Sequence, residues 1–439
     1  MNRESQNKKL GWMGLRLSRN DPFVLVLWGL VFVALLVWIG LQAPGWDVTV
    51  CRNAIRSLQS GHDPYVDAIR IQKLAYSNGP IPPNTDPPFS YVYPPITLPI
   101  LSLLGHLSVN FTGFIYWSMY ATAILTQISV GLLLPNIREK RIFQYLAPVI
   151  IFFPGLLADG TVLSGNVAHI FYGAILLAAV IGWRRNVWRW FYVAILIASC
   201  VKPPFLTLLA IPVLSSRKQW LPATLTTLGG FVLFIGQLWL CPLLFRNYLE
   251  AVRLMFSLSH DFGCSPEGIF SQWLVAHHLP YYPGNLLFYL AYALPLAGFL
   301  FYLSRRYFAG AFMLKQWAPV LLVGAVLLNP RIIEYDVAPI ALPLALIVWR
   351  VTTYFLTTKQ AGIALSFLFA VANAFALTSW SLRKIIDCPL LVIIFLAGSW
   401  HLLYDGRRIV RPALAAKTGL PGEVQLQAQI LRLRRRMTN

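Results

Sequence analysis

Asp47 stands six residues past an apolar run ending at Leu41 and directly ahead of Val48, Cys51, Ile55 and Leu58, which repeat at helical spacing. A carboxylate in a partly dry cleft suits a general base, because an alcohol attacks poorly until its proton is being removed. Asp before a helix is also a preferred N-cap, so residue type alone leaves both roles open. Asp63, in Gly61-His62-Asp63-Pro64-Tyr65, is a second acid, although Asp-Pro commonly starts a turn. Lys202 and Arg331 fall at ends of apolar runs, where cationic hydrogen bonds can hold a phosphate and stabilise a leaving group. The competing readings are a snorkelling Lys202 and an Arg331 paired locally with Glu334 or Asp336. Trp46, Tyr65, Tyr91 and Tyr93 can line a polar cleft or form an ordinary interfacial aromatic belt.

Other chemistries lack their signatures. The chain has no GxGxxG, Walker A loop, HExxH or GxSxG. His260, Asp261, Glu267, His277 and His278 share a segment without metal-ligand spacing, so no metal is assigned, although a divalent ion is not excluded. The five cysteines (Cys51, Cys200, Cys241, Cys264, Cys388) form no CxxC. Cys51 and Cys264 fall in segments of the same side and can pair, but small apolar residues packed near a membrane are the better reading.

The elements that must position these residues are membrane spans. The chain of 439 residues is 57% hydrophobic and 12% charged, whereas soluble domains carry about 25% charged residues. Apolar runs predict spans at 23–41, 142–158, 167–183, 188–201, 203–216, 221–241, 283–303, 311–328, 338–356, 361–380 and 389–404, with a further crossing inside 95–134. That gives about twelve crossings and an all-α, polytopic fold. The long stretch reads as a tilted or re-entrant piece at 95–109 followed by one crossing. Residues 188–216 read as a hairpin, since a single helix would bury Lys202 at its centre and break at Pro203-Pro204. The first run is too long for a signal-peptide core and has no A-x-A site, so it reads as a retained anchor.

Charge sets the orientation. With the N-terminus inside, 26 of the 36 Lys and Arg are cytoplasmic and 11 of the 16 Asp and Glu are outside. The net charge of +20 therefore reflects the positive-inside rule, and no nucleic-acid partner is expected. A basic N-terminus (1–22) and a basic tail (405–439) flank a membrane domain (23–404) whose outer loops are 42–94 and 242–282. Residues 48–60 read as an amphipathic helix on the membrane surface, and the eight prolines from Pro80 to Pro99 favour extended backbone. The tail reads as a disordered or interfacial segment drawn to anionic lipid.

Several short sequences then line up with one family. Gly45-Trp46-Asp47-Val48, Gly61-His62-Asp63-Pro64-Tyr65 and Tyr91-Val92-Tyr93-Pro94-Pro95 resemble the first outer loop of glycosyltransferase family 87. Ser164-Gly165-Asn166-Val167, Val201-Lys202-Pro203-Pro204 and Asn329-Pro330-Arg331 through Tyr335-Asp336 resemble its later segments, so the similarity runs from about residue 20 to residue 350. Ser265-Pro266-Glu267-Gly268 departs from the Asn-x-Ser-Leu-x-Gly type of sequence expected there. The resemblance implies a GT-C fold and inverting transfer of a sugar, mannose first, from a polyprenyl-phosphate donor to an acceptor hydroxyl outside the cytoplasm. It implies Asp47 as base and Lys202 and Arg331 on the donor phosphate. Asp63, Tyr65, Tyr91, Tyr93, Asn166, Tyr335 and Asp336 would then contact substrate. It further implies a plasma-membrane monomer with no cofactor beyond its lipid-linked donor, acting on a glycan or glycolipid. The alternatives are a transporter or flippase of lipid-linked sugars and a polymerase or ligase of glycan blocks.

Overall fold

The computed structural model describes residues 26, 29, 30, 33, 45–77, 91–106, 110–136, 139–140, 165–259, 262–280, 282–378 and 389–404, and no strand occurs among them. The expected spans at 23–41 (almost entirely) and 142–158, the Pro80–Pro88 stretch, Cys388 and both terminal segments lie outside the described residues.

The first helix, α1 (Trp46–Gln59), follows the repeat that predicted it, burying Val48, Val50, Cys51, Ala54 and Ile55, and ends before Gly61 at φ 73°. Gly45 is its N-cap, so Asp47 is not the cap but a first-turn acid, favoured there by the positive end of the helix. The Asp63-Pro64 pair opens a second helix, α2 (Pro64–Ser77), where the sequence suggested only a turn. The Asp63 carbonyl accepts from Asp67 N–H, and Pro64 sits at the first helical position, where its missing N–H costs nothing. A short 3-10 turn (Pro95–Thr97) leads into α3 (Leu98–His106), which meets α4 (Phe111–Leu133) at 116°. A bend of this size belongs to a broken span or to a re-entrant piece, and Asn110 caps α4 by accepting from Gly113 N–H.

The bundle continues through α5 (Ala168–Arg185) and α6 (Arg189–Val201), then a 3-10 stretch (Pro203–Leu209) and α7 (Ala210–Ser215). These do form a hairpin. Trp183 Nε1, at the end of α5, donates to Ser215 Oγ at 2.8 Å, and Tyr192 OH, near the start of α6, lies 3.0 Å from the Gln219 side-chain oxygen. The chain has therefore returned to where α6 began, with Lys202 at the far tip. The returning leg is mostly 3-10 rather than the expected α-helix, starting at two prolines that supply no N–H.

After α8 (Trp220–Leu240) the second expected outer loop turns out to be helical, as α9 (Pro242–Ser259) and α10 (Pro266–Ala276). The remaining elements are α11 (Gly284–Phe308), α12 (Leu314–Leu327), the one-turn α13 (Glu334–Val337), a 3-10 turn (Ala338–Ile340), α14 (Ala341–Phe355), α15 (Thr358–Thr378) and α16 (Pro389–Tyr404). Every residue of α12 from Trp317 to Leu327 is buried, the fate of a helix that is apolar all round. Gly324 makes this possible, since a Cβ there would meet Leu300 Cδ2 at 2.5 Å.

Three helical stretches among the described residues, Trp220–Leu240, Gly284–Phe308 and Tyr335–Phe355, are long and apolar enough to cross a bilayer, and the bent α3–α4 pair makes a fourth. Leu225, Leu228, Phe231, Val232 and Leu238 on α8, with Leu287, Leu294 and Phe301 on α11, are exposed. An apolar surface of that extent calls for hydrocarbon rather than water around it. The protein is thus a helical membrane protein. Opposite the Lys202 tip, Arg350 donates from Nε and Nη2 to the two Glu139 carboxylate oxygens at 2.9 Å, and to the carbonyls of Lys315 and Leu134. That clamp ties the ends of α4, α12 and α14.

Candidate functional site

The site is built on the start of α1. Gly45 N–H donates to Tyr116 OH at 3.0 Å, fixing the helix entry against α4 and placing half-buried Asp47 in the first turn. Val48 next to it packs on Gly165, which has φ 67°; a Cβ at that glycine would lie 2.4 Å from Val48 Cγ2. Only glycine allows both that backbone conformation and that approach.

Gly165 hands over to buried Asn166. Its side-chain oxygen accepts from Ala168 N–H at 2.9 Å and from Lys202 Nζ at 3.3 Å, so one amide starts α5 and holds the ammonium. Lys202 itself is extended (φ −141°, ψ 103°), as a residue before proline must be. Its Nζ lies 3.7 Å from the centre of the Tyr335 ring and 5.9 Å from that of Tyr93, a cation over two aromatic faces.

Asp47 and Lys202 meet electrostatically on Cys51. Burial pushes that thiol up to about 12, with the Asp47 charge adding to the rise and the Lys202 charge opposing it. The Tyr93 hydroxyl is also raised well above its ordinary value, first by burial and then by Asp47, Cys51, Tyr335 and Tyr91. An acid, a cation and two tyrosines thus share one neighbourhood at one end of the bundle.

Asp336 extends it. This buried carboxylate accepts from Ile333 N–H at 2.9 Å and from Tyr172, and both Lys202 and Arg331 act on it. The Arg331 guanidinium lies 5.5 Å from the centre of the Phe256 ring, and its charge acts on Asp336 alongside that of Lys202. Its loop is clamped to the start of α10. Cys264 N–H donates to Ile332 C=O at 2.7 Å, and Ser265 Oγ bridges the Pro330 carbonyl and Gly268 N–H. Buried Glu267 lies in this clamp, accepting from Ser271 Oγ at 2.8 Å. Burial raises its carboxyl, while hydrogen bonds from Ser271 and Asn285 and the Arg331 charge oppose the rise.

The structure therefore brings together Asp47, Tyr93, Asn166, Lys202, Tyr335 and Asp336, with Arg331 alongside. Asp63, Tyr65 and Tyr91 sit in the supporting layer. Asp63 accepts from Tyr65 N–H and from Asn247 Nδ2, both at 2.8 Å, tying α2 to α9. Tyr65 is fully buried and donates to the Tyr93 carbonyl at 2.7 Å, while Tyr91 OH pairs with Thr97 Oγ1. Cys51 and Cys264 are both buried free thiols. Among the described residues no three of His, Cys, Asp and Glu gather as a metal site would. The sequence carried no signal for Tyr172, an aromatic in an apolar span, and showed Glu267 only in a segment without metal-ligand spacing and in the stretch that departs from the family's sequence.

Comparison with protein-family models, with curated proteins and with solved structures returns no match. The site must be read from its own chemistry.

Proposed function

We propose that this protein is a membrane glycosyltransferase of the GT-C type, moving a sugar from a polyprenyl-phosphate donor to an acceptor hydroxyl with inversion. One observation carries the reading: Asp47 and Lys202 both act on Cys51, and the Tyr93 hydroxyl that feels Asp47 belongs to a ring 5.9 Å from Lys202 Nζ, at one end of a membrane bundle. Asp47 takes the proton of the acceptor hydroxyl, whose oxygen forms the new bond to the anomeric carbon. The bond from that carbon to the phosphate oxygen breaks with its electron pair, and polyprenyl phosphate leaves. Lys202 and Arg331 meet the charge it gains, and the Tyr93 and Tyr335 rings offer faces for the sugar.

Mannose is the sugar that the resemblance favours, the acceptor a glycan or glycolipid. The site then faces away from the cytoplasm, with about twelve crossings of the plasma membrane and both termini cytoplasmic. A transporter or flippase is the rival. Such proteins place ionisable groups mid-span, whereas α4 and α8 carry no Asp, Glu, Lys or Arg, α5, α11 and α12 carry them only in their terminal turns, and Arg350 of α14 is paired with Glu139.

The test is transfer from labelled polyprenyl-phosphate mannose by the purified protein in liposomes, with and without Asp47→Asn. A general base contributes about 10² to 10⁴-fold, so the inserted variant should lose at least about 100-fold. Undiminished transfer removes Asp47 as the base, and lipid flipping without transfer replaces the enzyme with a transporter.

A further inference from the structure

We propose that the free faces of α2 and α9 form a docking surface for anionic phospholipid headgroups. This stands apart from the sugar-transfer reading. The two helices pack side by side through Tyr65 and Tyr248, whose ring centres are 5.9 Å apart, and through the Asp63–Asn247 hydrogen bond. Both bury their opposite faces in one cluster, with Tyr65 from α2 and Phe245, Tyr248 and Ala251 from α9.

What they leave outward is mixed in a particular way. Among the described side chains, the exposed ones on α2 are Val66, Arg70, Lys73 and Leu74, and on α9 Pro242, Leu243, Arg246, Leu249, Arg253 and Ser257. At 100° per residue each set falls within an arc of about 120°, one contiguous stripe per helix. Large apolar groups are 46 to 69% exposed beside the cations. Arg70 donates to Asp67 Oδ1 at 3.1 Å and Arg253 lies 3.7 Å from Glu250 Oε2, each on its own helix, but with the arginines 70% and 78% exposed solvent screens both pairs. Lys73 and Arg246 have no ion pair among the described residues. The outward face of α1 is different: Thr49, Asn53, Arg56 and Gln59 suit water alone.

Depth follows from α8, which runs straight into α9. Its last residues, Trp239 and Leu240, are 74% and 86% exposed, so α9 starts at the edge of the hydrocarbon. Helices there, showing leucines to acyl chains and arginines to the headgroup layer, complement anionic lipid rather than zwitterionic lipid.

Hydrogen exchange in nanodiscs tests this. Peptides 64–77 and 242–259 should exchange several-fold more slowly in phosphatidylglycerol than in phosphatidylcholine, and molar salt should erase the difference. The quadruple variant Arg70→Gln, Lys73→Gln, Arg246→Gln, Arg253→Gln should lose the lipid dependence. The charge-keeping set R70K, K73R, R246K, R253K should retain it, which separates charge from folding. Equal exchange in both lipids, or a difference surviving in the Gln variant, overturns the proposal. So does protection by inorganic phosphate in phosphatidylcholine discs, or protection that tracks protein concentration and points to a second copy.

Discussion

Among the groups that orient Lys202 are the Asn166 amide oxygen and the Tyr335 and Tyr93 ring faces. Ring faces and an amide position the ammonium without accepting its proton, so it can meet an incoming phosphate. Lys202→Gln should therefore lower donor use, with kcat/KM falling at least about tenfold, equivalent to about 1.4 kcal/mol, while protein insertion is unchanged. Lys202→Arg should recover only part, because the guanidinium is larger and holds its donors in a fixed planar fork where the ammonium is a compact point charge. Steady-state kinetics on the two variants decides the point. Tyr65 acts at one remove: Tyr65→Phe strands the buried Tyr93 carbonyl and should cost about 1 to 3 kcal/mol of stability. A thermal-unfolding comparison in one detergent reads that loss, and an unchanged Tm refutes it.

The turn before α5 is the element on which the site depends. Gly165 must adopt φ 67° and must also admit Val48, so Gly165→Ala meets both a conformational and a steric obstacle. The left-handed conformation alone costs an L residue about 1 to 2 kcal/mol. The expected result is a lower Tm together with reduced transfer, because Asn166 carries Lys202 and moves with the turn. Tm unchanged with full activity would show that the turn does not position the cation. Some elements were legible in the sequence. The Val48–Cys51–Ile55–Leu58 repeat located α1 to within two residues, and Pro203-Pro204 with Lys202 required the hairpin. The helices α2, α9 and α10 were not legible, since their prolines sit at first helical positions and read as loop signals.

At the scale of the bundle, the Glu139–Arg350 pair closes the end opposite the site. Both side chains are only 10% exposed, so solvent screens the pair little. Removing one partner of such a pair typically costs about 3 to 5 kcal/mol, so Arg350→Ala should lower Tm sharply. Burial pushes the Glu139 carboxyl up, but hydrogen bonds and charge from Arg350, with Asn136 N–H, bring it net below its ordinary value of 4.5. A depressed acid stabilises the fold fully above its unfolded pKa and loses that contribution as pH falls through the folded one. Tm should hold from neutrality to about pH 5 and then fall, with the drop reduced in Glu139→Gln; an identical acid limb in that variant would exclude the pair as its source.

Sequence alone determined the solvent. Apolar runs of span length fix a membrane protein whatever their packing, because hydropathy is a property of each segment by itself. It also marked Asp47, Lys202 and Arg331 as charges at segment ends. Only the tertiary structure decided that Asp47 and Lys202 share a neighbourhood, that Arg331 and Lys202 both act on Asp336, and that Asp63 and Tyr65 support the site from behind. Such meetings depend on how each helix is rotated and how closely its backbone approaches the next. Contacts as local as Val48 on Gly165 set both, and no single segment encodes them.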